Sequence, residues 1–146
     1  MKPGLAIALT AGAGGLVAMQ APINGVLGKA AGKLAAASIS FLIGTAILLA
    51  ITAVTASDVN LGEAAKLPWY YFVGGALGAA YVTTVLITVR TLGAGGVTAA
   101  TIAGQLSTSV VLDRLGAFGL PEKQVTLARV VGVALLAAGV FLIVRE

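Results

Sequence analysis

The sequence predicts an all-α integral membrane protein, a single transmembrane domain over residues 1–146 that crosses the bilayer five times. Three observations carry that expectation. Hydrophobic residues make up 59% of the chain and charged residues only 10%, against about 25% charged in a soluble domain whose surface must face water. Mean hydropathy is +1.06. The apolar residues fall in long alanine-rich runs, without the two-residue alternation of a membrane barrel.

A spanning helix needs roughly 20 apolar residues, within about 17 to 25. The first expected span covers residues 5–27. Lys2 precedes it, but the run continues too far for a cleavable signal peptide. The second covers residues 34–56 and leads into the polar loop "SDVNLGEAAKLP", with Asp58, Glu63 and Lys66. The third covers residues 68–89. Pro68 suits its first turn, where a missing N–H costs nothing, and Trp69, Tyr70 and Tyr71 beside it form an interfacial aromatic belt. The fourth, residues 97–112, is short. It lies between "RTLGAGG" and "RLGAFGLPEKQ", two glycine-rich helix stops, the second closed by Pro121. The fifth covers residues 125–144 and ends on Arg145 and Glu146.

The chain has no cysteine and no histidine. That removes disulfides, thiol nucleophiles, cysteine-ligated zinc, iron–sulfur clusters and the usual general base. Proton chemistry falls to five carboxylates, mostly in loops, so an enzyme is not expected, nor a metal or cofactor. The nine Lys and Arg residues lie singly along the chain. They make no basic stripe for nucleic acid and read as juxtamembrane anchors.

Five spans place the termini on opposite sides of the membrane. One side then carries Lys2, Lys66, Arg114, Lys123 and Arg129, and the other Lys29, Lys33, Arg90 and Arg145, five against four. Since the Lys/Arg bias sets orientation, this chain has little to choose by. Two oppositely inserted copies would pair about an axis in the membrane plane, as inverted repeats do within one chain.

Small residues mark expected packing faces. Gly28 and Gly32, like Gly74 and Gly78, have the GxxxG spacing, and Gly132 and Gly139 lie a heptad apart. Gly12, Gly14 and Gly15 permit local unwinding of the first helix. Gln20 and Asn24 share a face around Pro22, as interhelical hydrogen-bonding groups or as ligand contacts. Ser38, Ser40 and Thr45 in the second span favour bonds to their own backbone. The third span sets Tyr81, Thr84 and Thr88 on one side, with Arg90 at its end; the Tyr81 hydroxyl needs a partner.

The sharpest signal is "TIAGQLSTSVVLDRLG", residues 101–116. Thr98, Thr101, Gln105, Ser109 and Asp113 fall on one helical face, with Thr108 alongside. Facing lipid would carry an amide and several hydroxyls into hydrocarbon at high cost. The row must face protein or water. Asp113, at a helix C-terminus, is unfavourable unless paired with a cation or protonated. Arg129 and Arg90 are the candidate partners.

Taken in order, Gln20–Asn24–Gly25, "SFLIG", "GGALGAAYV", "AGQLSTSVVLDRLGAFG" and the Arg129–Gly132–Gly139 spacing resemble the YdcZ-like branch of the drug/metabolite transporter superfamily. The resemblance covers essentially the whole chain. It implies a five-helix exporter of the cell inner membrane, half the size of ten-helix transporters built from two inverted repeats. A half-sized chain needs a second copy of itself or a homologous subunit. By analogy the substrate cavity lies between the two halves near the midplane, built from helices one to four. The related small multidrug resistance proteins carry an intramembrane glutamate for proton-coupled cation export; here Gln20 and Asn24 are neutral.

The expected function is therefore transport of a small polar solute by alternating access, as an antiparallel homodimer in the lipid bilayer. Gln20, Asn24, Ser38, Tyr81, Thr101, Gln105 and Ser109 are the substrate-binding candidates. Asp113, Arg90 and Arg129 are the gate or ion-pair candidates. A channel-like pore, or a non-transporting subunit needing a partner, are the alternatives.

Overall fold

Lys2 stands in extended conformation before Pro3, whose fixed φ and absent N–H suit the first position of a helix. From there the computed structural model describes residues 1–55 and 59–145. Ala56, at the expected end of the second span, Ser57 and Asp58 of the polar loop, and Glu146 lie outside the described residues. Among the described residues every regular element is helical, and the protein is an all-helical membrane protein. The chain divides into two compact units, Met1–Arg90 and Thr91–Glu146.

In the first unit, α1 spans Pro3–Ala31 and α2 spans Lys33–Thr55. A single residue joins them. Gly32 adopts φ 90° and ψ 149°, a conformation essentially reserved for glycine, while its N–H still bonds the Gly28 carbonyl at 3.2 Å. The GxxxG spacing put Gly32 on a packing face; it is instead the break between the two helices. Gly12, Gly14 and Gly15 stay helical, and α1 also runs through Pro22. Lys29 in the last turn of α1 suits the negative end of the helix dipole.

The one-turn helix α3, Leu61–Ala64, follows, capped by the Asn60 side chain, which accepts from the Glu63 N–H at 3.1 Å. Glu63 pairs with Lys66 at 2.6 Å. Pro68 precedes rather than opens the next helix: residues Trp69–Val73 form a 3₁₀ turn, and α4 begins at Gly74. The core of this unit is small. Ala36, Ala37 and Leu86 are buried together, with Leu27 and Val82 packed against them. Small residues at the contact let helix backbones approach closely, which in lipid is the main source of packing energy.

The helix α4, Gly74–Leu115, corrects the sequence-based expectation of a loop between the third and fourth spans. Including the 3₁₀ turn, the apolar stretch Trp69–Leu115 is 47 residues long. As one helix it would measure about 70 Å, more than twice the roughly 30 Å of bilayer hydrocarbon. Gly93, at φ 67° and ψ 171°, interrupts it. The break falls inside "RTLGAGG", where glycines signalled a stop, but takes one residue. The segments on either side, 74–92 and 94–115, are each about as long as a spanning helix requires.

In the second unit the segment 94–115 is followed by the turn Ala117–Gly119 and by α5, Leu127–Val144. Gly116 takes the left-handed conformation that ends a helix. The Thr126 hydroxyl caps α5, accepting from the Arg129 N–H at 3.4 Å. No described residue of α5 is buried, although the helix is apolar all round. Leu135, Phe141 and Leu142 each expose more than 60% of their surface. A helix with that character belongs in lipid or against other helices.

Candidate functional site

Helical periodicity brings Gln20 and Asn24, four residues apart, to the face of α1 that meets α2 and the first segment of α4. Asn24 is only 7% exposed. Burial of an amide at membrane depth requires a partner, and Ser40 of α2 supplies one. Its hydroxyl donates to Asn24 Oδ1 at 2.5 Å. The close approach rests on small residues. A Cβ at Gly28 would lie 3.5 Å from Leu86, and one at Gly78 would lie 3.3 Å from the Phe41 ring.

Beside this contact the unit has a half-open pocket of about 240 Å³, lined by Gln20, Asn24, Ser40, Phe41, Gly44, Thr45, Leu48 and Val82. None of these side chains is ionisable. A second recess, of about 10 Å³, lies where Gln20 and Asn24 meet Tyr81, with room for about one water. Gln20 has no hydrogen bond to the described residues, and neither does the Tyr81 hydroxyl. The pocket therefore offers amide donors, amide and hydroxyl acceptors and one aromatic face, all uncharged.

Of the candidates named from sequence, Gln20, Asn24 and Tyr81 come together here. Ser38 is exposed and lines neither space. Ser40, Phe41, Thr45 and Val82 are additional lining residues. Ser40 carries no local signal, because its bond to Asn24 spans 16 residues and exists only once α1 packs on α2.

In the second unit the polar row divides by how each group is satisfied. Ser109 donates to the Gln105 carbonyl at 2.7 Å and Ser107 to the Ala103 carbonyl at 2.8 Å, both within their own helix. Thr101 is half-buried. Gln105 is exposed, and its side-chain amide makes no bond to a described residue. Asp113 takes Arg129 as its partner, with Oδ2 3.1 Å from Nη1 and side chains 26% and 29% exposed. That Nη1 is buried without an aligned hydrogen bond, so charge rather than directed bonding holds the pair. The Asp113 carbonyl accepts from the Lys123 N–H at 2.9 Å, and Arg114 lies 3.8 Å from Glu122. Together these contacts tie the connection back onto the end of α4. Arg90 is exposed, at the end of the first unit.

The packing glycines also separate. Gly28 and Gly78 sit in contacts, whereas Gly74, Gly132 and Gly139 have open space where a side chain would be.

No curated protein and no solved structure matches the chain. A family does. Residues 5–142 match the one described as "Putative inner membrane exporter, YdcZ", and with nearly its whole length matched the chain belongs to that family of the inner membrane.

Proposed function

We propose that the chain exports a small neutral or zwitterionic polar solute by alternating access, working as an antiparallel homodimer of oppositely inserted copies. Membership of an inner-membrane exporter family makes it a membrane transporter; the solute, the cycle and the dimer are the proposal. The observation that carries the solute class is the pocket of about 240 Å³, whose lining has no ionisable side chain. Amides serve as both donor and acceptor, so Gln20 and Asn24 suit a solute that does both. An organic cation would find no counter-charge in that lining. Gln105, exposed and without a side-chain hydrogen bond among the described residues, is a further candidate contact on the second unit. Asp113 and Arg129 are proposed as an ion pair at one mouth.

The antiparallel arrangement rests on the near-even distribution of Lys and Arg, five against four, which leaves orientation almost unbiased. The solute class is tested by ligand-dependent stability in detergent. Neutral and zwitterionic solutes of fewer than about ten heavy atoms are expected to include ones that raise the unfolding temperature. Gln20→Leu, at an exposed pocket position, is expected to remove that rise without lowering the basal value. Stabilisation by tetraphenylphosphonium, retained in Gln20→Leu, would overturn the assignment.

A further inference from the structure

The far end of the second unit holds a cavity of different chemistry. It has a volume of about 500 Å³ and lies between the second segment of α4 and the C-terminal half of α5. Ala100 and Ala137 form its floor, while Val140, Phe141 and Val144 form its apolar wall. Small residues make it concave. A Cβ at Gly96 would stand 3.4 Å from Val144, so the two helices pack closely at the Arg145 end, with the groove beside that contact. Arg145 stands at its mouth, its guanidinium carbon 5.8 Å from the centre of the Phe141 ring.

No described carboxylate pairs with the cation at that mouth, and the adjacent Glu146 lies outside the described residues. The two described carboxylates of this unit both lie by the α4–α5 connection, where Asp113 takes Arg129 and Glu122 takes Arg114. Arg145 is at the other end of α5 and has no acidic partner among the described residues. The dimensions fit one leaflet. From Ala137 to Arg145 the lining runs along α5 for about 12 Å, against about 15 Å for half the bilayer hydrocarbon. A cation at the interface above an apolar slot is the complement of a phosphate above an acyl chain.

We propose that this groove seats one acyl chain of an anionic phospholipid, with Arg145 holding its phosphate. The site is separate from the uncharged pocket of the first unit and does not depend on the solute proposed for that pocket. The full-length protein in detergent, exchanged with a mixture of dioleoyl phosphatidylglycerol and dioleoyl phosphatidylcholine, provides the test by native mass spectrometry. The two lipids share their chains and differ in headgroup.

The parent chain should retain the anionic lipid about fivefold over the zwitterionic one, the discrimination expected of a single interfacial cation. Arg145→Gln should bring the ratio near one, while Lys123→Gln, which removes the same charge elsewhere, should leave it unchanged. Ala137→Leu, which fills the floor, should reduce retention of both lipids. Inorganic phosphate should not displace the bound lipid, because the chain supplies part of the affinity. Equal retention by the parent chain, or a preference that survives Arg145→Gln, would overturn the site. So would an Ala137→Leu variant that keeps its lipids but changes its oligomeric state, since a second copy would then occupy the groove.

Discussion

Gly28→Leu is expected to destabilise the protein by about 3 kcal/mol, the upper end of the usual cost of overpacking. Gly28→Ala is expected to change stability by less than about 1 kcal/mol. The difference comes from the space around one atom. A Cβ at Gly28 would meet Leu86 Cδ2 at 3.5 Å, the Lys33 Cα at 3.7 Å and the Ala36 Cβ at 3.8 Å, which are ordinary contacts. Three further carbons have nowhere to go, because Leu86 and Ala36 are among the most buried side chains in the molecule. Alanine also favours the helix over glycine, which offsets its small crowding. Gly14→Leu is the control, since nothing lies within 4 Å of that position. Unfolding of the three variants in detergent measures the effect, and equal losses at Gly14 and Gly28 would show that this contact does not organise the first unit.

Asp113→Ala is expected to cost about 2 kcal/mol, and adding Arg129→Ala is expected to recover much of that loss. Removing one member of a buried ion pair leaves the other charge uncompensated, a penalty of about 3–5 kcal/mol when both are fully buried. Here the side chains are 26% and 29% exposed, so water screens part of it. Arg129 Nη1 is nonetheless buried and lacks an aligned hydrogen bond. Without Asp113 it has no anion within reach among the described residues. A double-mutant cycle on unfolding free energies measures the coupling. Additive losses would mean that the two residues act independently and that the pair is incidental to the end of α4.

These two sites differ in how far the sequence announces them. Asp113 was legible because its placement breaks a rule. A carboxylate at the negative end of a helix demands a cation, and the sequence narrows the partner to Arg129 or Arg90. Choosing Arg129 required knowing that Thr126 starts α5 at its cap and brings Arg129 into the first turn. Gln20 and Asn24 were legible from spacing alone, because helical periodicity fixes their common face. Their partner Ser40 was not, since a bond across 16 residues leaves no local pattern.

The helices followed from hydropathy, which is strong when 59% of residues are hydrophobic. Their ends did not follow as well. Glycine-rich stretches look alike whether they form a loop or a single strained residue. Thus "RTLGAGG" reads as a helix stop between two spans and in the structure is a one-residue break at Gly93, and Gly32 reads as a packing residue but is a break between helices. The hydroxyls in "QLSTS" gave the opposite difficulty. Their row suggested an outward demand for partners, yet Ser107 and Ser109 bond their own helix, leaving Gln105 and Thr108 without a side-chain hydrogen bond among the described residues.

The central claim is that copies of this chain insert in both orientations and function as an antiparallel pair. The absence of native cysteine allows that to be read from one introduced thiol. Glu146→Cys, expressed in cells and labelled with a membrane-impermeant maleimide before and after permeabilisation, reports the side on which this end of the chain lies. The near-even charge distribution predicts that about half of the chains label from outside and the remainder only after permeabilisation. Labelling confined to one side would contradict dual orientation, and with it the antiparallel homodimer.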